Sequence, residues 1–164
     1  MKLIFQILHT AFFVIVMVVT FLVGTTLTLP FALFSKRKYR PFQFAARLWS
    51  RLLAFISGAR ITVSGIENIP ESGALIFASN HQGAADILLL LAYLPRSFRF
   101  IIKKELFRIP LFGMYLRLAG YLSIDRKAAL ASYKTLGSAA EALEDGECIL
   151  IFPEGTRSKT GEVG

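Results

Sequence analysis

His81 and Asp86 stand five residues apart in the string Asn80-His81-Gln82-Gly83-Ala84-Ala85-Asp86. A loop histidine and an acid in the first turns of the following helix can meet across a strand-to-helix turn. The carboxylate then accepts from one ring nitrogen and leaves the other free as a general base. That is the orienting half of a catalytic triad, with a substrate hydroxyl as the nucleophile. An aspartate that merely caps the helix start has the same spacing, so the pair alone leaves both readings open.

Three further strings carry polar chemistry. Phe152-Pro153-Glu154-Gly155-Thr156-Arg157-Ser158 offers free backbone N–H groups, two hydroxyls and a guanidinium. Arginine suits bidentate phosphate recognition, and Gly155 lets the backbone turn sharply or approach a ligand. An ordinary surface loop would also look like this. Gly120-Tyr121-Leu122-Ser123-Ile124-Asp125-Arg126 ends in a charged pair, which could equally be a surface ion pair of little energetic weight. Lys103-Lys104-Glu105-Leu106 is either local positive charge or a solvated helix start.

Each string follows a stretch that reads as a β-strand. Residues 60–64 (RITVS), 74–79 (ALIFAS), 98–102 (FRFII), 121–124 and 148–152 (CILIF) have strand composition. Helical patterns fall at 84–94, 110–119 and 127–143. Alternating strands and helices predict an α/β domain with a mostly parallel sheet flanked by helices. Ligands in such sheets bind beyond the carboxyl ends of the strands, where all four strings fall.

Ahead of this domain the chain is different. Residues 3–34 contain no Asp, Glu, Lys or Arg, whereas about 20 apolar residues suffice to cross a bilayer core. The run is too long for a signal peptide and no A-x-A-like site follows it. It predicts a membrane anchor over 1–35, as one tilted span or a bent insertion, weakened as a helix at 24–30 (GTTLTLP). Residues 42–56 have apolar positions at three- and four-residue spacing, with Arg47 and Arg51 on another face. Trp49 and the arginines suit a membrane interface, and a helix packed on the domain would show the same pattern. The expected organisation is therefore an anchor at 1–35, a basic cluster and amphipathic helix at 36–58, and the α/β domain at 59–164.

Composition agrees. Of 164 residues, 54% are hydrophobic and 18% charged, and the net charge is +8. Five cations and no acid lie in residues 1–40, so the basicity is concentrated beside the apolar run rather than spread over a folded face as nucleic-acid binding favours. By the positive-inside bias the domain is expected on the cytoplasmic side of the membrane, with residues 36–40 near anionic headgroups. The single cysteine, Cys148, excludes an intrachain disulfide. His9 and His81 form no cluster that would hold zinc. No G-x-S-x-G elbow of a serine hydrolase occurs.

Taken in order, N-H-x4-D, K-x-E-L, G-x3-I-D-R and F-P-E-G-T-R-S resemble the glycerophospholipid acyltransferase family, over roughly residues 60–160. The likeness is strongest to the 1-acyl-glycerol-3-phosphate acyltransferases, which acylate lysophosphatidic acid. The resemblance implies His81 as the general base and Asp86 as its orienting acid. It implies an acceptor site formed by Arg126, Glu154, Gly155, Thr156 and Arg157, with Lys103 adding charge nearby. It implies acyl-CoA or acyl-carrier protein as donor, lysophosphatidic acid as acceptor, and no metal or other cofactor. Glycerol-3-phosphate or another lysophospholipid is the alternative acceptor, and a membrane-anchored lipid-binding fragment without turnover is the alternative class. Oligomeric state has no signature here. Two features depart from the pattern. The residues between His81 and Asp86 are small, and Ser123 stands where an apolar residue is usual. The family also normally continues beyond the point where this chain ends, so the expectation is a C-terminally truncated domain with the sheet edge after 148–152 uncovered.

Overall fold

A computed structural model of the chain describes residues 2–125 and 127–155. Two helices, α1 (Lys2–Phe34) and α2 (Arg40–Ile56), precede β1 (Leu75–Ala78), α3 (Ala84–Tyr93) and β2 (Phe98–Lys103). Next come α4 (Phe112–Leu118), β3 (Leu122–Ile124), α5 (Ala129–Glu144) and β4 (Cys148–Ile151). Short 3-10 turns lie at Ile66–Asn68 and Lys104–Arg108.

The four strands form one parallel sheet in the order β1-β4-β2-β3. Parallel neighbours cannot be joined by a tight turn, so helices carry the chain back between strands. All four strands therefore end on the same edge. Cys148–Ile151 pairs with Leu75–Ala78 on one side, and Cys148–Leu150 pairs with Phe98–Phe100 on the other. This corrects the expectation of an uncovered edge after residues 148–152: β4 lies inside the sheet, and the edges are β1 and β3. The crossover through α5 returns the chain past β2, and an apolar run with no polar alternation is what a strand covered on both faces requires.

The strand expected at 60–64 is also absent. Ile61, Thr62 and Val63 have strand propensity, but the segment finds no ladder partner among the described residues and four of its five side chains are exposed. Propensity without a partner leaves the backbone to water.

Period-two alternation divides the core. Phe98, Phe100, Cys148 and Leu150 face one side, where they pack with Phe42 and Ala46 of α2, Ile87 and Leu91 of α3, and Tyr115 and Leu116 of α4. Ile149, Ile151, Ile101 and Leu122 face the other and meet Ala139, Ala142 and Leu143 of α5. The first layer is the thicker because α2 stacks on α3 and α1 stacks on α2.

α1 runs unbroken through residues 24–30, where weakening was expected, and through Pro30. Its threonines hydrogen-bond within the helix: Thr25 Oγ1 donates to the Phe21 carbonyl at 2.7 Å and Thr28 Oγ1 to the Gly24 carbonyl at 2.6 Å. Side-chain hydroxyls satisfied in this way let a Thr- and Gly-containing helix persist in apolar surroundings. The turn at 35–39 then folds α2 back alongside α1, and Trp49 Nε1 donates to Thr20 Oγ1 at 3.0 Å.

α2 packs on the domain. Arg47 Nη2 donates to the Leu94 carbonyl and Arg51 Nε to the Ala92 carbonyl, both at 2.9 Å. These two arginines thus satisfy carbonyls left open at the C-terminus of α3. The far side of α2 remains apolar and exposed at Phe44, Leu48 and Phe55.

Gly113 is the tightest point. A Cβ there would stand 2.2 Å from the Phe107 carbonyl oxygen, a backbone atom with no room to yield. Gly113→Ala should lower stability by about 2–4 kcal/mol. Thermal unfolding of the detergent-solubilised chain reads this, and a change below 0.5 kcal/mol would show that α4 shifts freely.

Candidate active site

β1 ends at Ala78, and the chain crosses a five-residue loop, Ser79 to Gly83, before α3 begins. Gly83 is the N-cap, in extended conformation, and Asp86 is the third residue of the helix. One oxygen of that carboxylate, Oδ2, accepts three hydrogen bonds. The donors are the Gln82 N–H at 2.7 Å, the Gly83 N–H at 2.9 Å and His81 Nδ1 at 2.8 Å. Capping the helix and orienting the imidazole are thus the same act. With Nδ1–H given to Asp86, Nε2 is left as the free base.

Partial burial by itself would push the Asp86 carboxyl up. The hydrogen bonds from Gly83, His81 and Gln82 outweigh it and hold the group below the ordinary carboxylate range. Asp86 therefore stays ionised at neutral pH. A group depressed in the folded state contributes stability above its unfolded value, about 3.9. That contribution fades as pH falls through the lower folded value.

The imidazole is held on a second side. The Phe152 ring stacks on it with centroids 4.2 Å apart and planes inclined by 21°. Phe152 itself stacks toward Phe100, at 6.1 Å. Phe152 is the first residue after β4, and β4 lies beside β1, so the sheet order brings the two loops together. An aromatic face also favours a cation held against it, so the stack suits an imidazole that gains a proton.

His81, Phe152, Pro153 and Gly155 help line a cavity of about 590 Å3 whose other walls are mostly apolar. Leu88 and Leu91 of α3, Phe100 of β2 and Tyr121 ahead of β3 belong to it, and Phe21 of α1 and Trp49 of α2 close one side. This is the size and character of a site for a small or chain-like apolar ligand.

The other expected site residues divide. Lys103 lines the same cavity, is largely exposed, and has Glu105 at 3.8 Å. Gly155 adopts φ +68° in a turn closed by its N–H on the Phe152 carbonyl at 2.9 Å. Glu154 Oε1 is enclosed without a hydrogen-bond partner among the described residues. Arg126, Thr156 and Arg157 lie outside the described residues. No group of three His, Cys, Asp or Glu able to hold a metal occurs among the described residues.

Two contributors escaped the sequence reading. Phe152 was passed over within its own motif, although an aromatic at the end of a strand neighbouring the His81 strand is the available signal. Lys104 was paired with nothing, yet its Nζ lies 3.1 Å from Asp125 Oδ2 and joins the loops after β2 and β3. That contact and the Lys127 N–H hold the Asp125 carboxyl below its usual range.

A model of the acyltransferase family matches residues 60–164. The chain belongs to the acyltransferase family. Among proteins similar to it is the chloroplastic 1-acyl-sn-glycerol-3-phosphate acyltransferase LPAT1 of Arabidopsis thaliana. The two are 36% identical over 137 residues, covering 82% of this chain and 38% of that protein. The 1-acyl-sn-glycerol-3-phosphate acyltransferase of Pseudomonas aeruginosa is 34% identical over 128 residues, 75% of this chain and 49% of that one. The crystal structure of the 1-acyl-sn-glycerophosphate acyltransferase PlsC from Thermotoga maritima matches with a TM-score of 0.80 at 27% identity. That match covers 100% of this chain and 66% of the other. The chain thus spans two fifths to one half of the length of these two curated relatives. Within this acyltransferase chain, the His81–Asp86 loop and the Phe152–Gly155 loop face each other across neighbouring strands.

Asp86→Ala removes the acceptor of all three hydrogen bonds and should lower stability by about 1–2 kcal/mol at neutral pH. Its difference from wild type should shrink as pH falls below the carboxylate range. A difference that grows toward acid, in thermal melts from pH 7 to pH 3, would contradict a depressed Asp86.

Proposed function

We propose that this chain carries the catalytic half of a 1-acyl-sn-glycerol-3-phosphate O-acyltransferase. It moves an acyl group from acyl-CoA or acyl-carrier protein to the free glycerol hydroxyl, giving phosphatidic acid and a free thiol. The observation that carries this reading is His81, held by Asp86 at Nδ1 and opening with Nε2 free on an apolar cavity.

In this reading the apolar cavity takes an acyl chain and brings the thioester carbonyl to its mouth. His81 Nε2 accepts the hydroxyl proton as the oxygen attacks the carbonyl carbon. Asp86 stabilises the imidazolium that forms, and the Phe152 face adds to this. The tetrahedral intermediate collapses, the C–S bond breaks, and the imidazolium returns its proton to the departing thiolate. Arg126 and Arg157 serve the acceptor's phosphate, with Lys103 at the rim; Glu154, Gly155 and Thr156 complete the acceptor site. No metal or cofactor enters the scheme.

The catalytic domain works at the cytoplasmic face of the membrane in the same reading. Among the described residues one helix, Lys2–Phe34, is long and apolar enough to cross a membrane. Its basic end is tied to the domain, because Arg37 Nη1 pairs with Glu147 Oε1 at 2.8 Å. The positive-inside bias then applies to the domain and residues 36–40 together.

Detergent-solubilised chain is incubated with lysophosphatidic acid and labelled acyl-CoA, then with acyl-carrier protein. Wild type should form labelled phosphatidic acid with at least one donor, and His81→Ala should fall by about 10²–10⁴-fold while its affinity for the acceptor is retained. Product formed equally by His81→Ala would remove His81 from the chemistry.

Phe152→Leu keeps apolar bulk but loses the aromatic face. Its kcat should fall about fivefold, with KM for the acceptor nearly unchanged, if the ring stabilises the imidazolium. A rise in KM alone would make Phe152 a wall of the acceptor site instead.

A further inference from the structure

The turn between α1 and α2 sorts its basic residues into two sets. Arg37 points to the domain, where it pairs with Glu147 and reaches the Asp145 carbonyl. Tyr39 points the same way, lying under the Arg99 guanidinium at 4.4 Å and against Gly120. Lys36, Lys38 and Arg40 point outward. All three are exposed, and their side chains have no hydrogen bond or ion pair among the described residues.

Beside them a groove of about 700 Å3 runs between α1 and α2. Leu27, Phe31, Phe44 and Leu48 form its walls, and Ser35 and Arg40 stand at its polar end. Gly24 lines it too, and nothing lies within 4 Å of where a Cβ would be. Trp49 is the one described residue that lines both this groove and the His81 cavity. The surface around the groove is apolar and uncovered: Phe31, Leu33, Phe34 and Phe55 are 70%, 75%, 90% and 85% exposed. So large an exposed apolar surface on a helix of this length fits a lipid phase, not water.

We propose that this groove is a binding site for one anionic diacyl phospholipid, separate from the His81 cavity. An acyl chain lies along the groove between α1 and α2. The phosphate sits at its polar end on Arg40, within reach of the field of Lys36 and Lys38. Three cations without partners among the described residues, and no acid in residues 1–40, select a lipid with net negative charge over a zwitterionic one. The bound lipid would fix the α1–α2 hairpin, and through Trp49 and Phe21 the wall of the His81 cavity, at a set depth in the membrane.

Trp49 is the single tryptophan, so its fluorescence reports on the groove and on the adjoining wall of the His81 cavity, which the charge variant below tells apart. The full chain is reconstituted in phosphatidylcholine vesicles containing a small fraction of either phosphatidylglycerol or phosphatidylcholine with brominated acyl chains. Brominated phosphatidylglycerol should reach half-maximal quenching at about a tenfold lower mole fraction. The triple variant Lys36→Gln, Lys38→Gln, Arg40→Gln changes only exposed side chains and should abolish that preference. Gly24→Leu fills the groove from within a helix and should reduce quenching by both lipids. Equal quenching of the wild type by the two lipids would overturn the proposal, because bulk lipid alone would then account for it. A preference that survives the triple variant would also overturn it, assigning the lipid to the His81 cavity.

Discussion

One carboxylate oxygen organises the site. Asp86 Oδ2 takes N–H donors from Gln82 and Gly83 and the Nδ1 of His81. Without it the loop after β1 would have two open amides at a helix start and an imidazole free to rotate. With it, the start of α3, the path of the loop and the tautomer of the histidine become one arrangement. The charge that caps the helix is also the charge that would stabilise an imidazolium, so stability and chemistry draw on the same group.

That arrangement faces something only because of strand order. β4 is placed beside β1, so the residue that follows β4, Phe152, falls against His81 in the loop after β1. A parallel sheet sends every strand out at the same edge, and the loops after β1, β2 and β4 therefore share one cavity. The central position of β4 also explains its composition. Cys148, Ile149 and Leu150 are all buried because helices cover both faces.

The hairpin of α1 and α2 belongs to this architecture and is not merely attached to it. Phe21 and Trp49 are part of the cavity wall, and Arg47 and Arg51 close the end of α3. Whatever sets the depth of the hairpin in a membrane therefore sets the height of the His81 cavity above it. The pairing of Arg37 with Glu147 helps fix the other end, where burial pushes the Glu147 carboxyl up and Arg37 draws it back.

Much of this was legible in the chain. Local rules suffice for the apolar run of α1, the alternation of strands and helices, and the His81–Asp86 spacing, because each depends on residues close in sequence. The four motifs in order were enough to indicate the family. What the chain did not disclose depends on pairing at long range. Residues 60–64 have the composition of a strand but no partner beside them. Residues 148–152 read as a buried strand with an uncovered sheet edge beyond it, yet β4 has a strand on each side, since strand order is set by how crossovers pack, not by the strand's own residues. Phe152 gains its role only from the neighbour that the sheet supplies. The sequence by itself determined which residues could do chemistry and that the N-terminus seeks an apolar phase. Only the tertiary structure decided which of those residues meet, because contact across a parallel sheet is fixed by strand order and helix packing between segments some seventy residues apart.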